Sequence, residues 1–594
     1  MVSGEALPCI SHILARCEPH VSNSTRWPKE ELTRKSMQSK LGSFLKVFAA
    51  VKGPQQLFKH QVLLQLFVAL LANPDGKLSN LAFLCVSRFK LPYLSPYVEY
   101  IQPMLKKEGL REALTKFDLS AGGEIIDAEH RLLLLPIVIR ILFGRFASRG
   151  SGARKSSKDT PVARRAAILS FFAGIGNDDG ELNYFIYLMV RNFIPNCVDM
   201  KSGGLQRGKE TLQSLIAESN KITSTELVNI PLKRQEGFLN LLLDVITQIG
   251  FGVKFFVDTF MNLLLAISEQ TEHALVASIE HQAAKRGNSE HGCTSDDVDG
   301  KSGLGRIRSL TFLRLADIMG KFASSVDFSR HGERMWKSMS ASVMALPNTV
   351  INAENPPSLL RLIETISSHP RLITLLHQSD SAVTAIFKCV AGTTRMKVMH
   401  CVLRIIGGLL TDGETLEGAK ISNNSDFVGH SLILDNIHLL LAQFTERMGS
   451  GCVRTDCDED YGASQGARNK SRMQQNPTDG LQLNILCRVS ELLVTVEEAD
   501  TDNIATMETL CNLLVPLLKF DSHPNQLYVM RTVNSLIPKL SSIEALMPLY
   551  HTISKVSSKI LTFCLIRQCV NLTSYRFHPS LAPGSKKKLV RNKI

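Results

Sequence analysis

The feature that most constrains this chain is a succession of short, leucine-rich segments with helical periodicity, separated by turns that carry proline or glycine. Two helix-like segments between Leu41 and Ala72 are separated by Gly53-Pro54, and Asn73–Gly76 follows as a strong turn signal. The chain has 594 residues, which is too long for one compact core. Roughly four domains or one array of repeats is therefore expected.

Composition favours helices over sheets. Hydrophobic residues make up 44% of the chain, whereas aromatic residues make up 6% and only two tryptophans occur. Tyrosine, tryptophan and threonine, which sheets prefer, are therefore sparse beside leucine. We predict an all-α fold, an elongated α-solenoid of HEAT/armadillo-like helical repeats with disordered insertions. HEAT units of about 40 to 47 residues would allow roughly a dozen repeats.

Apolar periodicity also predicts individual helices beyond residue 180. Their expected bounds are 182–194, 211–219, 238–248, 255–268, 307–322, 359–367, 382–390, 398–410, 433–447, 481–496, 504–518, 527–540 and 543–568. Pro136 lies within an apolar run, where it is expected to occupy a first helical turn or to kink a helix.

Three polar stretches lack helical periodicity: 149–161, 282–305 and 450–480. They carry too few large apolar side chains to offset the entropy of ordering, so we expect disordered insertions. These stretches divide the chain into predicted segments: an N-terminal segment 1–36, helical repeats 37–281 with the basic loop 149–161, an insertion 282–305, repeats 306–449, an insertion 450–480, repeats 481–577 and a basic tail 578–594.

The cysteines indicate a reducing compartment. Thirteen are scattered without regular spacing, and several lie within apolar helical stretches (Cys85, Cys389, Cys487 and Cys564). No secretory signal is expected, because Glu5 and Glu18 interrupt the N-terminal region. Apolar runs such as Leu132–Phe143 are shorter than the roughly 18 residues that a membrane span needs, so no membrane segment is expected.

Positive charge is concentrated in two places. Between Arg140 and Arg165 there are eight Lys/Arg and one acid, Asp159; residues 578–594 add five Lys/Arg and no acid. These two stretches account for +12 of the formal net charge of +13. Such local excess of one sign usually reflects a partner of the opposite sign.

The first of these stretches also carries a family resemblance. Residues 131–146 (RLLLLPIVIRILFGRF) and 164–174 (RRAAILSFFAG) resemble the signature of the DRIM domain, and 88–97 (RFKLPYLSPY) is similar to the segment before it. The resemblance runs from about Lys40 to Ile194 and departs from the family's pattern at Gly150–Ser157 and Asn177–Glu181. Family members are several times longer, so this chain is expected to be a fragment, a split gene product or an incomplete gene model.

The resemblance implies a large HEAT-repeat component of the nucleolar small-subunit processome. The expected function is a non-catalytic scaffold that supports pre-rRNA processing and small ribosomal subunit assembly in the nucleolus and nucleus. The expected partners are processome proteins, pre-ribosomal RNA and a small nucleolar ribonucleoprotein, with no membrane and no small-molecule substrate. The matched positions are packing and loop positions, so the family supplies no catalytic residue.

The basic stretch provides the candidate contacts with RNA or a partner. These residues are Arg145, Arg149, Arg154, Lys155, Lys158, Arg164 and Arg165. Arginine suits phosphate recognition because its planar guanidinium can bond two oxygens at once. The alternative is a merely solubilising loop, or arginines paired with acids of neighbouring repeats. Arg140 lies among apolar residues and is expected to form a buried structural pair.

The basic tail resembles a nuclear or nucleolar import signal. Its basic residues are Lys586, Lys587, Lys588, Arg591 and Lys593. The alternative is an incidental surface patch.

Motifs for catalysis and metal binding fail on spacing or context. Gly150–Ser156 and Gly300–Ser302 lack the glycine spacing of a phosphate-binding loop, and Gly462–Gly466 lies in a polar stretch without the strand that a nucleophile elbow requires. Cys452 and Cys457 have no partner pair that would complete a zinc site. We expect no enzyme, no cofactor and no metal.

Two other functions compete with the processome scaffold. One is an importin-like HEAT-repeat nuclear transport adaptor that binds protein cargo; such adaptors usually run acidic, whereas the pI of this chain is about 9.1. The other is the helical scaffold region of a giant kinase-related protein, which would require a kinase domain downstream.

Overall fold

The computed structural model describes residues 34–106, 109–117, 125–148, 160–175, 180–193, 217–219, 221–286, 295–379, 381–393, 395–411, 428–449, 477–495, 506, 509–510 and 513. Within these ranges every regular element is helical. The α-helices are α1 (Arg34–Ala50), α2 (His60–Leu70), α3 (Gly76–Arg88), α4 (Val98–Leu105), α5 (Leu110–Lys116), α6 (Ala128–Ala147), α7 (Pro161–Ile175), α8 (Glu181–Val190), α9 (Ser224–Leu227), α10 (Leu232–Ile249), α11 (Val257–Arg286), α12 (Ser295–Phe322), α13 (Ser329–Ser338), α14 (Ser340–Ile351), α15 (Ser358–Ser367), α16 (Pro370–His377), α17 (Ala382–Gly392), α18 (Met396–Leu409), α19 (Val428–Leu434), α20 (Ile437–Gly449) and α21 (Pro477–Thr495).

Short 3-10 helices occur in three of the connections. They are Pro54–Gln56, Ser95–Tyr97 and Gly250–Phe256. The chain divides into two compact units: Met1–Ala345 with Pro357–Ser379, and Leu346–Pro356 with Asp380–Ile594.

Alternate helices stack on one another within each unit. In the first unit α10, α12 and α15 form one row, while α11, α13 and α16 form a second row. In the second unit α17 packs on α20, and α18 packs on α21. This two-layer stacking buries apolar faces between consecutive repeats, as in HEAT and armadillo arrays. The predicted class, an all-α fold of helical repeats, is confirmed.

Amphipathic periodicity explains which faces are buried. In α15, Leu359, Leu362, Ile363 and Ile366 lie on one face and are all buried. The start of α2 differs from this simple pattern. Phe58, just before the helix, is 63% exposed, and Val62, in its first turn, is 50% exposed. There the buried face comprises Leu63, Phe67 and Leu70.

Basic side chains join stacked helices at their C-terminal ends. The last carbonyls of a helix have no partner inside it, and they carry the negative end of the helix dipole. In four stacked pairs, a basic residue of the later helix donates to a carbonyl at the end of the earlier one. These bonds are Arg88 Nε to Ala49 O (2.9 Å), Lys321 Nζ to Ile246 O (2.6 Å), Arg447 Nη1 to Thr393 O (2.6 Å) and Arg488 Nη2 to Leu410 O (2.5 Å). Each stacked pair therefore combines apolar burial with a charge-assisted hydrogen bond.

Gly144 marks a close approach between α6 and the turn that joins α2 to α3. A Cβ atom at this position would lie 2.9 Å from the carbonyl oxygens of both Leu71 and Asn73. Because backbone atoms cannot move aside as a flexible side chain can, only glycine fits here. The glycine of the FGRF sequence therefore has a packing role.

The N-terminal ends of α11 and α13 are joined by a carboxylate. Asp258 in the first turn of α11 accepts a hydrogen bond from Arg330, and His331 Nε2 lies 3.2 Å from Asp258 Oδ1. The bonds with His331 and Arg330 hold the pKa of Asp258 below its ordinary value of 3.8.

Most predicted helices are present, with three kinds of difference. The predicted helix 433–447 is two helices, α19 and α20. Helices α5, α9, α13, α14 and α16 were not predicted, because they are short or their apolar runs are interrupted by polar residues and proline. Pro136 lies well inside α6 rather than in its first turn.

The predicted insertion 282–305 requires a correction at both ends. Helix α11 continues to Arg286 and α12 begins at Ser295. The polar composition removes the periodic signal, but extending an existing helix costs far less than nucleating a new one. Of the predicted insertion 450–480, only the last residues are described, and α21 begins there at Pro477. The predicted helices 527–540 and 543–568 and the tail 578–594 lie outside the described residues.

The cysteines that the structure describes lie in the protein interior. Cys85, Cys389 and Cys487 are buried free thiols, and burial raises the pKa of Cys85 and Cys389 to about 12. Cys564 lies outside the described residues.

By length and composition alone, one described stretch, Leu232–Ser278, could cross a membrane. It covers α10, a 3-10 helix and much of α11, and 61% of its most apolar window is buried within the protein, as core helices also are.

We expect Gly144→Ala to lower the free energy of unfolding by about 1–3 kcal/mol, since its Cβ would overlap two carbonyl oxygens. Gly174→Ala is the matched control, because no atom lies within 4 Å of the position of its Cβ. That control should be neutral or stabilising by up to about 1 kcal/mol. Urea denaturation of the full chain measures both, and equal stabilities would contradict the close approach.

Asp258→Asn should lower stability at pH 7 by about 1 kcal/mol. Because folding lowers the pKa of Asp258, its carboxylate stabilises the folded protein at pH values above the pKa of this group in the unfolded chain. That stabilisation is lost as the pH falls through the pKa in the folded protein. The difference in free energy of unfolding between wild type and variant should therefore become smaller from pH 7 to pH 3. Urea denaturation at both pH values tests this, with exposed Glu112→Gln as the control. A difference that did not change with pH would contradict the role of this carboxylate.

Candidate functional site

The candidate site is the junction between α6 and α7, where the sequence analysis places its RNA or partner contacts. Three of the seven predicted residues are described: Arg145 near the end of α6, and Arg164 and Arg165 near the start of α7. The other four, Arg149, Arg154, Lys155 and Lys158, lie outside the described residues, as do the predicted import-signal residues of the tail.

Arg145 points into the protein. Its side chain is buried, and its Nη2 donates to the backbone carbonyl of Lys106 at 2.7 Å. Its Nη1 also lies beside Gly76 at the start of α3, 3.7 Å from where a Cβ would stand. Arg145 therefore connects α6 to two neighbouring segments, which is a structural role.

Arg164 closes the C-terminal end of α6. Its Nε donates to the carbonyl of Arg145 at 3.0 Å, and its Nη2 donates to the carbonyl and the hydroxyl of Ser148 at 2.8 and 3.0 Å. These acceptors belong to the last turn of α6 and to the residue after it, where carbonyls lack partners inside the helix.

Arg165 joins three helices. Its Nε donates to the carbonyl of Phe146 at 3.2 Å, and its guanidinium carbon lies 6.0 Å from the centre of the Phe146 ring. Its Nη1 forms an ion pair with Asp244 Oδ2 of α10 at 3.0 Å. Arg164 and Arg165 thus donate to carbonyls at the C-terminal end of α6, as basic side chains do at the helix ends of the four stacked pairs. This finding favours the alternative in which arginines pair within the protein.

Arg140 is buried as predicted, but it has no acidic partner within hydrogen-bonding distance among the described residues. Its guanidinium carbon lies 5.6 Å from the centre of the Tyr184 ring, which is a cation–π contact. The buried ion pair of this region instead joins Arg131 to Glu181 at 2.6 Å. Both contacts tie α6 to α8.

Charges of both signs surround Asp244. A polar groove of about 510 Å³ is lined by Arg165, Lys233, Glu236, Gly237, Asn240, Leu243 and Asp244. On α12, Arg314 pairs with Asp317 at 3.1 Å, and burial raises the pKa of Asp317. Within the residues placed by the structure, no group of three or more His, Cys, Asp or Glu side chains could hold a metal ion. This region has the character of a packed interface between helices.

The motifs rejected on sequence grounds are only partly described. Gly300–Ser302 lies inside α12 and not in a loop. Gly150–Ser156, Gly462–Gly466, Cys452 and Cys457 lie outside the described residues.

Another basic region lies outside the two basic stretches. The chain beyond those stretches is almost neutral in total, but that near neutrality is an average. Residues 34–98 contain nine Lys/Arg and a single acid, Asp75. A running count of charge along the chain, in place of a search for clusters, would have found it.

Comparison with known proteins places these observations in a family. A family model described as "U3 small nucleolar RNA-associated protein 20, N-terminal" matches residues 35–564. The match contains the stretch from Lys40 to Ile194 that resembles the DRIM-domain family, so the resemblance is confirmed.

Two relatives carry the same name. The U3 small nucleolar RNA-associated protein 20 of Schizosaccharomyces pombe is 25% identical over 224 residues, which cover 37% of this chain and 8% of that protein. The protein of that name from Saccharomyces cerevisiae is 23% identical over 147 residues, which cover 24% of this chain and 6% of that protein. The aligned part of the chain therefore spans less than a tenth of either relative.

We expect Arg164→Ala to lower the free energy of unfolding by about 1–3 kcal/mol, because it removes three hydrogen bonds at the end of α6. Arg164→Lys should give a smaller loss, since it keeps the charge but not the planar guanidinium. Arg111→Ala, at an exposed position on α5, is the control and should change stability by less than about 0.5 kcal/mol. If urea denaturation showed Arg164→Ala to be as stable as wild type, the capping role would be wrong.

Proposed function

Because the chain belongs to the family described as U3 small nucleolar RNA-associated protein 20, N-terminal, we propose that it is a non-catalytic scaffold component of the small-subunit processome. In this role it supports pre-rRNA processing and small ribosomal subunit assembly in the nucleolus. The observation that carries the proposal is the family match over 35–564, together with the names of both relatives.

The architecture supports a scaffold. Stacked helical repeats bury their core between neighbours and leave long faces that can bind partners. The charged groups at the α6–α7 junction cap helices and pair with one another, which accounts for them without a reaction. The proposed partners are processome proteins, pre-ribosomal RNA and the U3 small nucleolar ribonucleoprotein.

The basic loop is proposed as one contact with RNA or a ribonucleoprotein partner. Arg145, Arg164 and Arg165 are occupied within the protein, so the proposal now rests on Arg149, Arg154, Lys155 and Lys158 alone. The tail residues Lys586–Lys588, Arg591 and Lys593 are proposed as an import signal.

The test of the scaffold is a pull-down of the tagged chain from its own cells at moderate salt, followed by sequencing of the bound RNA. We expect enrichment of unprocessed small-subunit ribosomal RNA and of U3 small nucleolar RNA. Recovery of nuclear transport factors without RNA would overturn the proposal and favour an importin-like adaptor.

Replacing Arg149, Arg154, Lys155 and Lys158 with alanine should weaken association with the particle without changing helicity, because it removes four positive charges and no described hydrogen bond. Sedimentation of tagged protein through a sucrose gradient measures association, and circular dichroism measures helicity. The matched control replaces four exposed basic residues of other helices: Lys116, Lys337, Lys388 and Lys397. Equal sedimentation of the two variants would remove the loop from the proposed contacts.

A further inference from the structure

The most basic described region of the chain comprises α1 to α3. Of the nine Lys/Arg within 34–98, seven are exposed: Lys40, Lys46, Lys52, Lys59, Lys77, Arg88 and Lys90. The single acid, Asp75, caps α3 by accepting a hydrogen bond from the backbone N–H of Lys77. The positive field of this region is therefore almost uncompensated by nearby carboxylates within the same helices.

Four of these residues lie at one end of the three helices. Arg88 at the end of α3 donates to Ala49 at the end of α1, and Gln55 Nε2 donates to the carbonyl of Phe89 at 2.5 Å. These bonds bring together the end of α1, the 3-10 helix before α2 and the end of α3. The residues here are Lys52, Lys59, Arg88 and Lys90, and we call this set the basic end.

Two lysines of the basic end have an uncommon backbone. Lys59 has φ of 53° and Lys90 has φ of 49°, and among the described residues they are the only non-glycine residues with positive φ. Left-handed conformations favour glycine or asparagine, so a lysine at either position lowers stability relative to those residues. Residues held in unfavourable backbone conformations cluster at binding sites. These two positive φ angles are informative because both residues are lysines and both belong to the basic end.

An exposed aromatic ring adjoins these lysines. Phe58 is 63% exposed, and Lys59 Nζ lies 5.4 Å from the centre of its ring. Phe48, near the end of α1, and Phe89, just after α3, both pack against Phe67 of α2, with ring centres 5.5 and 6.4 Å apart. The ring of Phe58 is thus exposed where the neighbouring lysines supply positive charge.

We propose that the basic end binds single-stranded RNA, with Lys52, Lys59 and Lys90 facing phosphates and Phe58 stacking on a base. Lysine acts as a point charge that attracts phosphates without reading the sequence, and aromatic stacking accepts any base. The exposed large apolar side chains of α1 to α3 and of the connection before α2 are Val47, Phe58, Val62 and Leu84. They form a smaller apolar centre than a protein partner would need. The inference rests on the proposed function and assigns part of its RNA contact to these residues.

The experiment is a fluorescence anisotropy titration of the purified full chain against a fluorescein-labelled single-stranded RNA of mixed sequence, over a series of KCl concentrations. The test variant combines Lys52→Gln, Lys59→Asn and Lys90→Asn, since asparagine tolerates the left-handed conformation. Its control, Lys337→Gln with Lys388→Gln and Lys397→Gln, removes the same charge from exposed positions of other helices.

We expect the test variant to bind about tenfold more weakly at moderate salt, and the slope of log affinity against log salt to fall by about 2, or roughly 0.7 for each lost phosphate contact. Phe58→Ala should weaken binding by about fivefold or more and leave the slope unchanged. The control should keep wild-type affinity. Thermal unfolding should show the test variant to be at least as stable as wild type, so loss of binding cannot come from unfolding.

Equal affinity of the test variant and its control would overturn the inference, as would a wild-type chain that binds no RNA. Binding of polyglutamate, but not of RNA, through these lysines would also overturn it and would indicate an acidic protein partner. RNA binding through the basic end without recovery of pre-ribosomal RNA from cells would keep this inference and overturn the proposed function instead.

Discussion

The unpaired carbonyls at the C-terminal ends of its helices are the constraint on which this structure depends. A chain built from many short helices exposes many such ends, and each one buried without a donor costs free energy. In four of the described stacked pairs the donor is a basic side chain of the later helix, as in Arg88 to Ala49 and Lys321 to Ile246. Stacking and capping therefore depend on each other, because a repeat closes the end of its neighbour only when it packs against it.

This arrangement changes how the positive charge of the chain is interpreted. Arg164 and Arg165 belong to the most basic stretch of the sequence, yet they bond to carbonyls of α6 and to Asp244. Lys59 and Lys90 belong to a less conspicuous stretch, yet they are exposed at turns whose backbone would suit glycine better. Local charge density alone does not show which basic side chains hold the fold together; the presence of an internal acceptor does.

Helix α6, in the region of the family signature, approaches its neighbours closely. Gly144 lets α6 lie against the carbonyls of Leu71 and Asn73, while Arg131 with Glu181 and Arg140 with Tyr184 fasten the same helix to α8. Helix α6 is thus held on several sides by contacts that tolerate little change in size or charge. A sequence signature can arise from such packing without any catalytic or ligand-binding residue.

The sequence by itself determined the class of fold, most of the helices and the family. Apolar periodicity and turn residues are local signals, and they suffice wherever a helix buries one broad face. Only the tertiary structure decided which of the basic residues singled out in the sequence have internal partners. The acceptors of Arg145, Arg164 and Arg165 lie 16 to 79 residues away along the chain, and no local pattern encodes such a distance. The polar ends of α11 and α12 were missed for a related reason, because a helix can extend without an apolar face once its buried part has formed.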